Sequence, residues 1–143
     1  MTSDKAKIDA IKTFLEREFA PMIHQLGIDT QDLSETGARF NVTATDFMMR
    51  GGDIVCGQAI ASIADTAGVL TLYGHNDAER LMTTVDMTTH FMRPLTKGTI
   101  EVETRILSNG RRLATVFVEF RQQGSGKVAA SSTCAYAYLD PPK

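Results

Sequence analysis

The stretch GQAIASIADTAGVL, residues 57–70, has the apolar density of a core helix and carries one carboxylate, Asp65, near its middle. On a helical wheel Ile60, Ile63, Ala64, Ala67 and Leu70 fall on one stripe, and Gln58, Ala61, Asp65, Gly68 and Leu72 on a second. The acid therefore shares a face with small residues and one amide. Two readings fit. Asp65 stands at a helix edge and points into water, as most aspartates do. Alternatively it is buried without a partner, where its pKa rises and it suits a general base.

Upstream, RGGDIVCG (residues 50–57) reads as a glycine-punctuated loop. Before it, GARFNVTATDFM places Ala38, Phe40, Val42 and Ala44 on one face, a half-buried strand. The opening SDKAKIDAIKTFLEREFAPM predicts an amphipathic helix over about residues 4–20, capped by Ser3 or Asp4 and ended by Pro21. Its apolar positions are Ile8, Ile11, Phe14, Leu15 and Phe19.

Downstream, the long helix ends near Gly74, where GHNDAER supplies turn residues. All that follows predicts strand. LMTTVDMTTHFMRP alternates until Pro94, and GTIEVETRILSNG carries Ile100, Val102, Thr104 and Ile106 on one face. RRLATVFVEFRQQG and GKVAASSTCAYAYLD complete the set, joined by hairpin-like turns at SNGR and QGSGK. Helix, strand, long helix and four consecutive strands imply an α+β domain whose antiparallel sheet folds around one central helix.

Composition sets the bounds. At 143 residues the chain fits one domain, 1–143, that needs no disulfide to hold its core. Fifteen Lys and Arg against 17 Asp and Glu give a net charge of −2, which gives no support to a broad nucleic-acid footprint. No apolar run approaches the ~20 residues that cross a bilayer, so no membrane partner is expected. Cys56 and Cys134 form no metal-type cluster with the three histidines. The opening residues lack a secretory leader pattern, so the expectation is reduced thiols in a cytoplasmic protein.

This order is that of the hotdog fold. RGGDIVCGQAIASIADTAGVL followed by TTVDMTTHFMRPLTKGTIEVETRILSNGRRLATVFVEF resembles the PaaI-like hotdog acyl-CoA thioesterases, over about residues 36–139. The shared pattern is a glycine-containing turn, eight residues and an acid on the helix, then FMRP, a turn and GRR. The resemblance implies an acyl-CoA substrate, no metal or redox cofactor, and a homo-oligomer with the dimer as its minimum unit, assembled into a tetramer. It implies Asp65 as the catalytic acid that activates water, and Gly57 as the oxyanion-hole residue.

A helix-start N–H, aided by the helix dipole, stabilises negative charge on a carbonyl oxygen. Gly57 and Asp65, eight helical residues apart, are separated by roughly 12 Å. One thioester carbon must sit about 3 Å from both the oxyanion donors and the nucleophile. A single helix does not easily supply both, whereas a two-fold dimer does.

The pattern also departs from the family. Many relatives have His-Gly-Gly where this chain has Cys56-Gly57-Gln58, and an asparagine where it has Arg50. Gln58 offers an amide to the pocket, and Arg50 a cation for the carbonyl or a phosphate. Cys56 has no histidine near it in sequence and reads as an inert loop thiol. Thr84 matches the Ser or Thr that assists the water in several relatives, and is equally a β-favouring packing residue. Asp86, His75 and His90 read as plain surface or strand residues. Arg93, Lys97, Arg111 and Arg112 cluster at strand ends and in the SNGRR turn, where guanidinium forks suit the phosphates of coenzyme A. The expected activity is acyl-CoA thioester hydrolysis. The alternatives are a non-hydrolytic acyl-CoA-binding protein and an enoyl-CoA hydratase-like enzyme, and a thiol-release assay distinguishes all three.

Overall fold

The computed structural model describes residues 2–139, with side chains from Asp4 onward. Helix α1 spans Thr2–Glu18, so Ser3 and Asp4 lie inside its first turn and not at its cap. Pro21 does more than end this helix. It opens a second short one, α2 (Pro21–His24), at the first helical position, where its missing N–H costs nothing.

Eight strands follow among the described residues: β1 (Ile28–Leu33), β2 (Gly37–Ala44), β3 (Met49–Arg50), β4 (Ile54–Val55), β5 (Met82–Phe91), β6 (Gly98–Asn109), β7 (Leu113–Gln122) and β8 (Ala130–Tyr138). Helix α3 (Gly57–His75) lies between β4 and β5. Six strands form one antiparallel sheet in the order β1-β2-β6-β7-β8-β5, and α3 packs along it. The two predicted apolar rows meet there. Ala38, Phe40, Val42 and Ala44 of β2 are buried, as are Ile60, Ile63, Ala64, Ala67 and Leu70 of α3. Ile100, Val102 and Thr104 of β6 are buried as well.

Two elements depart from the sequence expectation. Strand β1 was not expected, and its register with β2 slips between Thr30 and Asp32. Buried Ile28 and Thr30 are followed by exposed Gln31 and Asp32, so the bulge erases the alternation that marks a strand. The expected loop at RGGD is a small hairpin, in which Met49 pairs with Val55 and Arg50 with Ile54. Its turn needs left-handed backbone, supplied by Gly52 (φ 89°) and Asp53 (φ 59°).

Candidate active site

Helix α3 begins at Gly57, with Cys56 as its N-cap. The Gly57 N–H is one of the first-turn donors that have no intrahelical partner. A Cβ at Gly57 would lie 3.4 Å from the ring of Phe91, so β5 closes directly over the helix start. Here a cleft of about 380 Å³ opens, lined by Arg50, Gly57, Ile60, Phe91, Arg93 and Leu95 among others. Its wall is largely apolar, with two guanidiniums and no carboxylate.

Two turns further along α3, Asp65 is half-buried and accepts a hydrogen bond from the Thr84 hydroxyl, Oγ1 to Oδ1 2.6 Å. The choice left open for Asp65 thus resolves to neither extreme, because the carboxylate is partly covered and partnered. It is absent from the residues that line the cleft at Gly57. Gln58, Ala61, Ser62, Asp65 and Val69 are exposed or half-buried and run along α3 as a stripe that its own sheet leaves uncovered.

The contact with Thr84 depends on an irregularity in β5. Strand β8 buries its even-numbered residues, Ala130 to Tyr138, and cross-strand partners share a face. Thr84 pairs with Tyr136, but Asp86 pairs with Ala135, so Val85 is an extra residue, a bulge. Parity therefore switches. Met82 and Thr84 face α3, and beyond the bulge so do Met87, Thr89 and Phe91. Thr84 and Phe91, an odd number of residues apart, could not both face the helix in a regular strand. Asp86 and His90 fall on the opposite face of the sheet, away from Asp65.

A sequence model of the thioesterase superfamily matches residues 52–129, just over half of the chain, and covers both the helix and the bulged strand. The chain belongs to the thioesterase superfamily. A protein of Thermoplasma acidophilum named as a candidate esterase is 28% identical over 133 residues, 93% of each chain. The fold is the PaaI-like hotdog fold. The PaaI protein from the phenylacetic acid degradation operon of E. coli superposes with a TM-score of 0.79 at 22% identity, over 96% of each chain. A thioesterase from Pseudomonas aeruginosa gives 0.80 at 14% identity, over 92% of each.

For a thioesterase-superfamily chain, the remaining predicted site residues divide into two groups. Arg50 and Arg93 line the cleft with Gly57. Lys97, just before β6, pairs with Asp46, which raises its pKa through that hydrogen bond and charge. Arg111 and Arg112 do not join them. They lie in the β6–β7 turn at the far end of β6, whose twelve residues span roughly 40 Å. The expected cluster of four cations is thus split between the two ends of the sheet within one chain, because the β5–β6 crossover and the β6–β7 hairpin turn lie at opposite ends of β6. Around the Arg111–Arg112 turn the backbone is held firmly. Arg80 stacks 3.5 Å over the Tyr138 ring and donates to the Arg111 carbonyl at 2.6 Å. Tyr138 donates to Asn109 at 2.6 Å, and Asn109 donates to Asn76 at 2.8 Å.

Gln58 is exposed on the first turn of α3. Cys56 is half-buried, and its N–H donates to the Met48 carbonyl at 2.9 Å. His75 sits at the far end of α3 and bonds the Gly37 carbonyl at 2.9 Å, a packing contact distant from the helix start. The sequence reading missed Tyr136, which is fully buried beneath α3. Its hydroxyl donates to the main-chain carbonyl of Asp65 at 2.9 Å. The only trace of it in the sequence is Gly68, where a Cβ would come within 2.0 Å of that hydroxyl.

Proposed function

We propose that the protein hydrolyses acyl-CoA thioesters at a site shared between two subunits. The observation that carries this reading is the Thr84–Asp65 hydrogen bond, which aims a carboxylate out of the uncovered stripe of α3. Asp65 takes a proton from a water that Thr84 helps to orient, and the resulting hydroxide adds to the thioester carbon. The Gly57 N–H of the neighbouring subunit, at the positive end of its helix, stabilises the oxyanion that forms. Arg50 beside it supplies a second, cationic donor, and Gln58 an amide at the rim. Collapse of the tetrahedral intermediate breaks the C–S bond. The thiolate leaves and receives the proton from Asp65, which gives a carboxylic acid and the free thiol of coenzyme A.

The shared site is supported by distance and by surface. Gly57 and Asp65 stand roughly 12 Å apart along one helix, too far for a single carbonyl to use both. The uncovered stripe of α3 lies beside β5, the terminal strand of the sheet. That strand and its end expose Val85, Phe91 and Met92 by 52–56%. An edge strand that exposes these three apolar side chains, next to an uncovered helix face, suits burial against a second copy. Arg93, Lys97, Arg111 and Arg112 serve the phosphates of coenzyme A in this reading, with the two distant groups contributed by different subunits. No helix among the described residues is long and apolar enough to cross a membrane. The two free cysteines accord with action in the reducing cytoplasm.

The test is Asp65→Asn, nearly isosteric, assayed by thiol release across an acyl-CoA panel. Turnover should fall at least ~100-fold with the fold intact, as expected for loss of a general base. Near-normal turnover would remove Asp65 from the chemistry. No thiol release by the native protein, with acyl-CoA bound, would favour a binding protein. Loss of an enoyl double bond with the thioester intact would favour a hydratase.

A further inference from the structure

We infer that Tyr136 is a positioning residue for Asp65, and that the cross-strand pair Thr84–Tyr136 grips that acid at two points. This inference rests on the reading of Asp65 as the catalytic carboxylate.

Thr84 and Tyr136 are direct partners in the β5–β8 ladder, and both project toward α3. Thr84 holds the end of the Asp65 side chain, its hydroxyl 2.6 Å from Oδ1. Tyr136 holds the root, its hydroxyl 2.9 Å from the Asp65 main-chain oxygen. Such a helical carbonyl ordinarily accepts from the N–H four residues on, so the tyrosine adds a bond that the helix itself does not require. The effect is to tie this one turn of α3 to β8. With both the backbone and the carboxylate of a single residue fixed to one rung of the ladder, the carboxylate keeps one direction relative to the sheet.

The site is built for a tyrosine and not for a phenylalanine. The ring is completely buried, and Gly68 leaves the notch into which the hydroxyl fits, where a Cβ would stand 2.0 Å from the oxygen. A buried hydroxyl without a partner is costly, so the carbonyl of Asp65 also holds the ring in place. Burial, reinforced by neighbouring Cys134 and Asp65, pushes the phenol far above its ordinary range. It therefore remains a protonated donor wherever the enzyme works. A group that orients a carboxylate matters chiefly to the chemical step, because small misplacements of a reacting group cost large factors in rate.

The experiment is a double-mutant cycle between Tyr136→Phe and Asp65→Asn, with kcat and KM measured by thiol release and folding checked by circular dichroism and thermal melting. Tyr136→Phe should lower kcat about tenfold or more and leave KM within about twofold. In the Asp65→Asn background it should cause no further loss, since there is then no carboxylate to orient. Tyr136→Phe combined with Gly68→Ala, in which the new methyl fills the space the hydroxyl leaves, should give the same pattern and serves if Tyr136→Phe alone does not fold. A folded Tyr136→Phe protein with native kcat would overturn the inference. So would a loss that multiplies fully with that of Asp65→Asn, because the tyrosine would then act on the fold at large. If Asp65→Asn alone turns over normally, the reading of Asp65 fails first and takes this one with it, an outcome visible in the single variant.

Discussion

If one site takes its oxyanion donor from one subunit and its base from the other, two inactive variants should restore each other. Asp65→Ala removes the base. Gly57→Pro removes the N–H, and the structure shows why it should do so without unfolding the chain. Gly57 is the first helical residue, the position where proline is best tolerated. Cys56 before it already has φ −68° and ψ 148°, the extended conformation that a following proline demands. The nearest atom to a new Cβ is the Phe91 ring at 3.4 Å, an ordinary contact. Each variant alone should be nearly inactive. After subunit exchange, a mixed dimer holds one site with Gly57 and Asp65 both intact and one site with neither. Random exchange makes about half the dimers mixed, each with one working site of two, so roughly a quarter of wild-type activity should return. The assay is thiol release from the mixture, with exchange followed independently by mass-tagged subunits. Demonstrated exchange between folded variants without recovered activity would refute the shared site and place both groups within one chain.

Four further outcomes follow from the same geometry. Cys56→Ser should keep most of the activity and raise the melting temperature, since serine is a good N-cap worth about 0.5–1 kcal/mol at a position that now has no side-chain cap; complete loss of activity in a folded protein would instead make Cys56 a nucleophile. Alkylation of the native protein should label Cys56 alone, because Cys134 is fully buried and burial pushes its thiol up to about 11. Replacing Arg111 and Arg112 together by Ala should raise KM for CoA esters more than it lowers kcat, and leave a short thioester without the nucleotide unaffected; equal damage to both substrates would mark the pair as structural. Deleting Val85 should abolish activity where Val85→Ala does not, since removal of the bulge turns either Thr84 or Phe91 away from the helix; an active deletion variant would refute the parity argument.

The elements that carry a one-sided apolar period were legible in the amino-acid order alone. Ala38 to Ala44 repeat every second residue and Ile60 to Leu70 at helical spacing, and burial on one face is what imposes both periods. Asp65 stood out for the same reason, as a charge within such a pattern. Strand β1 did not, because its bulge at Gln31 breaks the period. The Thr84–Asp65 contact also lay beyond local pattern, although both residues were singled out. It requires β5 to pair with β8 and to carry an extra residue at Val85, and strand partners and bulges are set by the neighbouring strand, not by the local sequence.

The split of the basic residues has the same origin. Arg93, Lys97, Arg111 and Arg112 lie within twenty residues of one another in the chain, yet a twelve-residue strand separates the first two from the last two. Closeness in sequence becomes distance wherever a long strand intervenes. Tyr136 shows the converse, since it is seventy-one residues from Asp65 in sequence and hydrogen-bonded to it in the fold. The amino-acid order by itself determined which residues seek the core and that one acid lies among them. Only the tertiary structure decided which hydroxyls that acid and its backbone meet, because such contacts are made by strand register, and register is a property of two segments at once.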